Sequence, residues 1–97
     1  MMIEVRKTNE FQSWFLSLRD INAQMRIATR IDRLEHGNFG DVKPVGAGVS
    51  ELRIDYGPGY RLYIKQKGKT LVILLAGGDK RAQAADIKLA KELAERL

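Results

Sequence analysis

Basic and phenolic side chains recur between residues 51 and 83, in the second half of the chain. The members with the most distinctive chemistry are Arg53, Arg61, Tyr63, Lys80 and Arg81. A guanidinium group can hold two phosphate oxygens at once, a lysine supplies a point charge, and a tyrosine can transfer a proton. We interpret this set as a surface that grips a phosphodiester backbone.

The net charge supports a polyanionic partner without proving one. The chain has a net charge of +5, and residues 37–81 carry eight Lys/Arg against four Asp/Glu, so +4 of that charge lies in this segment. Positive charge focused on one part of a protein favours nucleic acid as the partner. The alternative is a solvated surface whose lysines do nothing specific, and composition alone does not decide between the two.

Length and composition predict a single domain that covers residues 1–97. A chain of 97 residues builds one core and leaves no room for a separate cofactor domain. Its hydrophobic fraction of 44% is ordinary, and no apolar run approaches the length of a membrane span. The N-terminal residues lack a signal-peptide pattern and there is no cysteine, so we predict a cytoplasmic protein. One histidine and scattered carboxylates do not make a ligand cluster, so we predict no metal site, and we expect no cofactor.

Hydrophobic periodicity predicts a strand and two helices in the first third of the chain. Residues 2–7 alternate as a half-buried strand does, with Asn9 as the cap of the helix that follows. Asp20 is the predicted cap of a second helix, which ends at His36 and Gly37. The predicted core stripes are Phe11, Trp14, Phe15 and Leu18 on the first helix, and Ile21, Met25, Ala28, Ile31 and Leu34 on the second.

The remainder of the chain predicts a loop, three strands and a final helix. Residues 37–48 are rich in glycine and show no apolar period, so we expect a loop. Strands are predicted at 51–54, 60–63 and 71–75, the last stopped by Gly77 and Gly78, and a helix at 84–97. The predicted fold class is α+β, in the order β-α-α-β-β-β-α, with a small antiparallel-rich sheet packed on helices.

Alternation along the strands predicts which side chains share a face. Leu52, Ile54, Leu62 and Ile64 point to the core, so the residues between them point away from it. We therefore predict an open, charged sheet face, with Lys80 and Arg81 at its rim. The alternative is an ordinary polar face held by cross-strand pairs. The predicted open face consists of Glu51, Arg53, Asp55, Arg61, Tyr63 and Lys65.

Three further polar features are assigned structural roles. Arg26, Arg30 and Arg33 lie on one side of the second helix and could meet RNA or an acidic partner, but we favour a solvated helix face. His36 is interpreted as a helix-terminus residue rather than a general base. Asp79 is interpreted as a turn residue that orients Lys80.

Three short motifs resemble those of a known family. They are Glu51-Leu52-Arg53-Ile54, Gly57-Pro58-Gly59-Tyr60-Arg61 and Gly77-Gly78-Asp79-Lys80. With the order of the elements, they make the chain resemble the toxins of bacterial type II toxin–antitoxin modules in the RelE/ParE superfamily. The branch resembled is the HigB-like "addiction module killer protein" group. The resemblance implies a small endoribonuclease, an mRNA interferase, that enters the ribosomal A site and cuts translated mRNA.

The resemblance also implies roles for particular residues. Arg61 matches the strand arginine that supports the scissile phosphate, and Arg53 matches a basic residue on the preceding strand. Lys80 and Arg81 match a basic pair after the last strand, one member of which acts on the cleaved phosphate or leaving group. RelE-type enzymes use a tyrosine at the place occupied here by Ile87, so Tyr63, near predicted cations that could lower its pKa, is our candidate for proton transfer. The predicted RNA-binding residues are Lys43, Lys65 and Arg81.

Partners follow from the same resemblance. It implies an antitoxin with a helix-turn-helix, mRNA in the ribosomal A site, and contact with DNA only through the antitoxin. No membrane is implied. Two alternatives on the same fold stay open: a non-enzymatic ParE-like toxin that stalls DNA gyrase, and a decayed toxin that acts only in an autoregulatory complex.

Overall fold

The computed structural model describes residues 2–97, and within them the α+β class is confirmed. The order is β-α-α-β-β-β-β-α, one strand more than predicted. The elements are β1 Glu4–Lys7, α1 Asn9–Ser17, α2 Ile21–Glu35, β2 Val42–Gly46, β3 Val49–Ile54, β4 Tyr60–Lys67, β5 Leu71–Asp79, a short 3₁₀ turn Lys80–Ala82, and α3 Gln83–Glu95.

The five strands form one sheet with helices on both faces. The strand order is β1-β5-β4-β3-β2, with β1 parallel to β5 and the other neighbours antiparallel. Residues of α1 and α2 share one core cluster with Leu52, Leu62 and Leu74, whereas α3 shares a second cluster with Tyr63 and Leu75. Because α3 lies on the face that we predicted to be open, much of that face is buried.

The additional strand, β2, lies inside the predicted loop 37–48. Val42 pairs with Leu52, and Gly46 pairs with Val49 across a two-residue turn. Both turn residues have positive φ, 56° at Ala47 and 75° at Gly48, which matches the tight turns that join twisted antiparallel strands. The sequence hid this strand because only two of its five residues, both valines, have a high strand propensity.

Gly77 and Gly78 do not stop the last strand, so this prediction was wrong. β5 continues to Asp79, and the two glycines admit side chains from opposite faces of the sheet. A Cβ at Gly77 would lie 2.2 Å from the Trp14 ring, and a Cβ at Gly78 would lie 1.8 Å from Asp86 Oδ2. Glycine inside a strand often marks such a close approach.

The first helix begins one residue earlier than its predicted cap. The cap is Thr8 rather than Asn9, because the Thr8 hydroxyl accepts a hydrogen bond of 3.0 Å from the Phe11 N–H. The same hydroxyl donates to the Leu75 carbonyl at 2.6 Å, which ties the start of α1 to β5. The aromatic stripe packs on the core as predicted, with Phe11 fully buried and Trp14 partly buried.

In the N-terminal half of α2, the apolar stripe was predicted on the wrong side of the helix. Its buried residues are Ala23, Ile27, Ile31 and Leu34. Ile21 and Met25 are exposed instead, at 70% and 62% of their surface. The C-terminal end was predicted correctly: His36 caps it, and its ring Nδ1 lies 2.8 Å from the Asp32 carbonyl.

No helix within residues 2–97 combines the length and the apolar character that a membrane crossing requires.

Candidate functional site

The strand register brings the two strand arginines together. Arg53 of β3 lies directly opposite Arg61 of β4, and Arg61 lies opposite Gly78 of β5. Directly opposed residues project to the same face, so both arginines lie on the α3 side of the sheet. Alternation therefore predicted the correct face for Arg53 and Arg61.

Arg61 is paired with a buried carboxylate. Its Nε donates to Glu51 Oε1 at 2.9 Å, and its Nη1 donates to the Gly59 carbonyl at 3.0 Å. The same Glu51 oxygen accepts a bond of 2.7 Å from Gln83 at the start of α3. Only 12% of the Arg61 side chain and 3% of the Glu51 side chain are exposed. This pair is shielded from water, so its attraction is much less screened than that of a surface pair.

Lys80 joins Arg61 at the turn before β4. A Cβ placed on Gly59 would lie 3.4 Å from Arg61 Nη1 and 3.6 Å from Lys80 Cβ, so both residues flank this glycine. Gly59 has φ of 81°, a conformation that favours glycine. Lys80 itself is exposed and forms no ion pair among the described residues. We call the cluster Arg53, Arg61 and Lys80 the sheet-end site.

Arg53 of the sheet-end site is half-exposed, and a further predicted basic residue, Lys43, lies on β2. Arg53 is 46% exposed, and its Nη2 lies 3.2 Å from Asp41 Oδ1. Lys43 is exposed on the edge strand and lies opposite Glu51, on the same face. Both residues therefore lie on the same face of the sheet as Arg61.

Tyr63 is not on an open face, and the prediction of a lowered pKa was wrong. Its side chain is fully buried beneath α3, and its hydroxyl makes no hydrogen bond within residues 2–97. Burial raises the pKa of Tyr63 above its usual value, and the nearby carboxylates of Glu51 and Asp86 raise it further. In this arrangement Tyr63 cannot exchange a proton with a bound ligand.

Lys65 and Arg81 also differ from their predicted settings. Lys65 Nζ donates to the Ala94 carbonyl at 3.0 Å, near the C-terminal end of α3, so it satisfies a helix carbonyl rather than joining Arg61. Arg81 is 84% exposed and binds Asp79 through its Nη2 at 2.9 Å. That ion pair lowers the pKa of Asp79 and raises the pKa of Arg81. Asp79 therefore orients Arg81, not Lys80.

Sequence reasoning missed Gln83 and Asp86, both in the first turn of α3. Gln83 bonds to Glu51, and Asp86 packs its carboxylate against Gly78, with Oδ2 buried and without a hydrogen-bond partner among the described residues. Burial raises the pKa of Asp86, and the charge of Asp79 adds to this effect. The available signal was Gly78, a glycine inside an apolar strand that marks a close approach from a neighbouring element.

The arginines of α2 are only partly a solvated face. Arg30 donates to the carbonyls of Arg53 at 2.6 Å, Phe39 at 2.9 Å and Asp41 at 2.9 Å. Burial lowers the pKa of Arg30, and its Nε has no partner within residues 2–97. Arg30 therefore fixes α2 to β3 and to the start of β2, which the periodicity of the helix could not indicate.

Across residues 2–97, no group of three or more His, Asp or Glu side chains lies close enough together to hold a metal ion.

Comparison with known proteins identifies a relative by sequence and a solved structure with a similar fold. No protein-family model matches the sequence. The chain is 52% identical over 97 residues to a protein of Haemophilus influenzae described as uncharacterized, and the match covers all of this chain and 98% of that protein. This chain belongs to the family of that Haemophilus influenzae protein.

A solved structure of a mutant of the Escherichia coli toxin RelE in the free state is similar to this chain throughout. The TM-score is 0.74 at 15% sequence identity, over 100% of this chain and 99% of that chain. The RelE-like fold that the motifs implied is therefore confirmed.

Proposed function

We propose that this chain is the toxin of a type II toxin–antitoxin module, of the HigB-like branch, and that it cuts mRNA on the ribosome. The observation that carries the proposal is the sheet-end site. Two strand arginines and an exposed lysine meet at one end of the sheet of a RelE-like fold. A phosphodiester backbone is the ligand that such a cluster fits best.

The chemistry assigned to this site is transfer of the phosphodiester to the neighbouring ribose hydroxyl. The 2′ oxygen attacks phosphorus, the bond from phosphorus to the 5′ oxygen breaks, and the products are a cyclic phosphate and a 5′ hydroxyl. Negative charge grows on the phosphoryl oxygens during this step. Fixed guanidinium groups at Arg61 and Arg53 would stabilise that charge, and Lys80 would neutralise the departing oxygen.

Glu51 sets a condition on this mechanism. It already occupies Arg61 Nε, so a phosphate oxygen must bind the remaining guanidinium edge or displace the carboxylate. The 2′ proton needs an acceptor, and Tyr63 is the candidate on the same face. Tyr63 is buried with Ala90, Leu93 and Ala94 of α3, so it would reach the ligand only after α3 moves off the sheet, a motion that would also free Gln83 from Glu51. It would then accept the proton only in its deprotonated form.

The partners in this proposal are mRNA in the ribosomal A site and an antitoxin with a helix-turn-helix, in the cytoplasm. Contact with DNA would occur only through the antitoxin. Lys43 and Arg81 are both exposed, so they would contact the RNA backbone beyond the sheet-end site. Lys65 is hydrogen-bonded to the end of α3, so it would contact the RNA only after α3 moves.

The test is induction in bacteria of the wild type, Arg61→Ala and the control Lys67→Ala, with primer extension on a translated reporter mRNA. Lys67 is an exposed lysine at the far end of β4. We expect growth arrest with in-frame cuts for the wild type and for Lys67→Ala, and neither for Arg61→Ala. Circular dichroism of the purified proteins checks that each variant is folded.

Two other outcomes would redirect the proposal. Arrest by all three proteins with intact mRNA would reject the nuclease and point to DNA gyrase as the target. An absence of both arrest and cleavage in the wild type would support a decayed toxin that acts only in a complex.

A further inference from the structure

A second basic surface lies on the opposite side of the molecule from α3. A groove of about 640 Å³ runs between α2 and the segment Ile54–Tyr56, and we call it the α2 groove. Arg26, Arg30 and Arg33 line it on the helix side, and Asp55 is the carboxylate in its lining. The groove therefore carries a net positive charge that the sheet-end site does not explain.

Two of these arginines are held in place before any ligand arrives. Arg30 is fixed by its three carbonyl acceptors. The Arg26 guanidinium carbon lies 4.6 Å from the centroid of the Tyr56 ring, and the Tyr56 hydroxyl donates to Asp20 Oδ2 at 2.8 Å. A guanidinium over an aromatic ring is a favourable contact. Because these side chains are already ordered, binding a partner costs less conformational entropy.

Apolar side chains flank the arginines. Met25 lines the groove and is 62% exposed, and Ile21, one turn earlier on α2, is 70% exposed. Arginine, methionine and tyrosine are the residues enriched at the centres of protein interfaces, and lysine is depleted there. The described residues that line the groove include three arginines, Met25 and Tyr56 and no lysine.

We propose that the α2 groove binds an acidic amphipathic helix of a partner protein. Arg26, Arg30 and Arg33 span about 10 Å along α2, at 1.5 Å per residue, so carboxylates on successive turns of a helix lying beside α2 can reach all three. An apolar residue of that helix would cover Met25 and Ile21. RNA fits less well, because the exposed Ile21 and Met25 would gain nothing from phosphates, whereas the apolar face of a helix would cover them.

This inference goes beyond the proposed function, because it concerns a different face and does not require mRNA cleavage. The test places the photo-crosslinking residue p-benzoylphenylalanine at Met25, or at Leu89 on α3 as a reference, in the full chain expressed from its own operon. Crosslinked peptides are then sequenced by mass spectrometry. The expected result is a crosslink from position 25 to an identified acidic, amphipathic segment of another protein.

Charge reversal gives the second measurement. Arg26→Glu with Arg33→Glu is expected to lower the yield of this crosslink at least tenfold, whereas Lys67→Glu with Lys69→Glu, the same change in net charge on exposed residues elsewhere, leaves it unchanged. Arg33→Glu alone serves if the double variant does not fold. Among the described residues, the Arg33 side chain makes no hydrogen bond or ion pair whose loss would affect folding.

Three results would overturn the inference. One is no crosslink from position 25, with or without one from position 89. Another is a crosslink from position 25 to RNA or to a segment without acidic residues. The third is a protein crosslink whose yield survives both charge-reversal variants.

Discussion

Arg61 and Arg30 are both withdrawn from water, yet their charges are balanced in different ways. Arg61 pairs with the buried carboxylate of Glu51, whereas Arg30 is held by three backbone carbonyls. A carboxylate cancels a full unit of charge, and carbonyl dipoles solvate a guanidinium without cancelling it. The strand arginine at the sheet-end site is thus nearly neutralised, and the helix arginine keeps its charge.

In the two proposals made above, this difference in charge would distinguish a site that holds a substrate from a surface that attracts a partner protein. At the sheet-end site, the field that reaches solvent comes mainly from Lys80, since Arg53 is shared with Asp41. A ligand there must compete with Glu51, which favours a ligand with several negative oxygens. In the α2 groove Arg26 and Arg33 are exposed and keep their charge, as a surface for steering an acidic partner would require.

The largest expected effect comes from removing the counter-charge of Arg61. Glu51→Ala should lower the free energy of unfolding by about 3–5 kcal/mol, because it leaves a guanidinium buried without a partner. Urea denaturation followed by circular dichroism measures this loss. The matched control is Asp41→Ala, which removes the partner of the half-exposed Arg53 and should cost only about 0–1 kcal/mol.

Equal losses of unfolding free energy in Glu51→Ala and Asp41→Ala would contradict this prediction. They would mean that the burial of Arg61 has no energetic consequence, and that the two ion pairs of β3 are equivalent.

A somewhat smaller effect is expected at Arg30. Arg30→Ala removes three hydrogen bonds from a charged donor and should lower the free energy of unfolding by about 2–3 kcal/mol. Arg30→Lys keeps the charge but not the planar fork, so it should recover only part of the loss. Urea denaturation of both variants at the same pH measures the difference. Full recovery by lysine would show that charge, and not geometry, fixes α2 to β3.

The smallest effect concerns Asp86 and depends on pH. Because the pKa of Asp86 is raised in the folded protein, the protonated carboxyl is favoured, and its stabilising contribution is lost as the pH rises through the raised pKa. Asp86→Asn should therefore gain stability relative to the wild type as the pH rises above about 4, the usual pKa of an aspartate. Denaturation curves of the two proteins across this range give the difference. A stability difference between the two proteins that stays constant with pH would contradict the raised pKa of Asp86.

The sequence was sufficient for most of the fold. The alternation of β3 and β4 placed Arg53 and Arg61 on one face correctly, and the periodicity of α1 placed Phe11 in the core. β2 was missed because its polar and glycine-containing sequence resembles a loop. Met25 was misplaced because the buried stripe runs back from Ile31 through Ile27 and Ala23, at intervals of four residues, rather than through Met25.

The candidate site was less predictable, because it depends on where α3 lies. Alternation tells which strand residues share a face, but it cannot tell which helix covers that face. Tyr63 was therefore placed in solvent, and Gln83 and Asp86 were not considered. The pair Gly77 and Gly78 held the missing information, since a glycine on each face of one strand marks two elements packed closely against it.

The most direct test of the central claim is a rate measurement with the purified chain on ribosomes that carry a defined mRNA. Arg61→Ala is compared with Arg96→Ala, which removes an exposed arginine at the end of α3. Arg61→Ala leaves the buried Glu51 carboxylate without its ion-pair partner and is expected to lose stability, so the rates are measured at a temperature at which circular dichroism shows both variants to be folded. The account predicts that Arg61→Ala then slows cleavage roughly 100-fold or more, and that Arg96→Ala cleaves at the wild-type rate. Cleavage by Arg61→Ala at the wild-type rate would contradict the assignment of the sheet-end site.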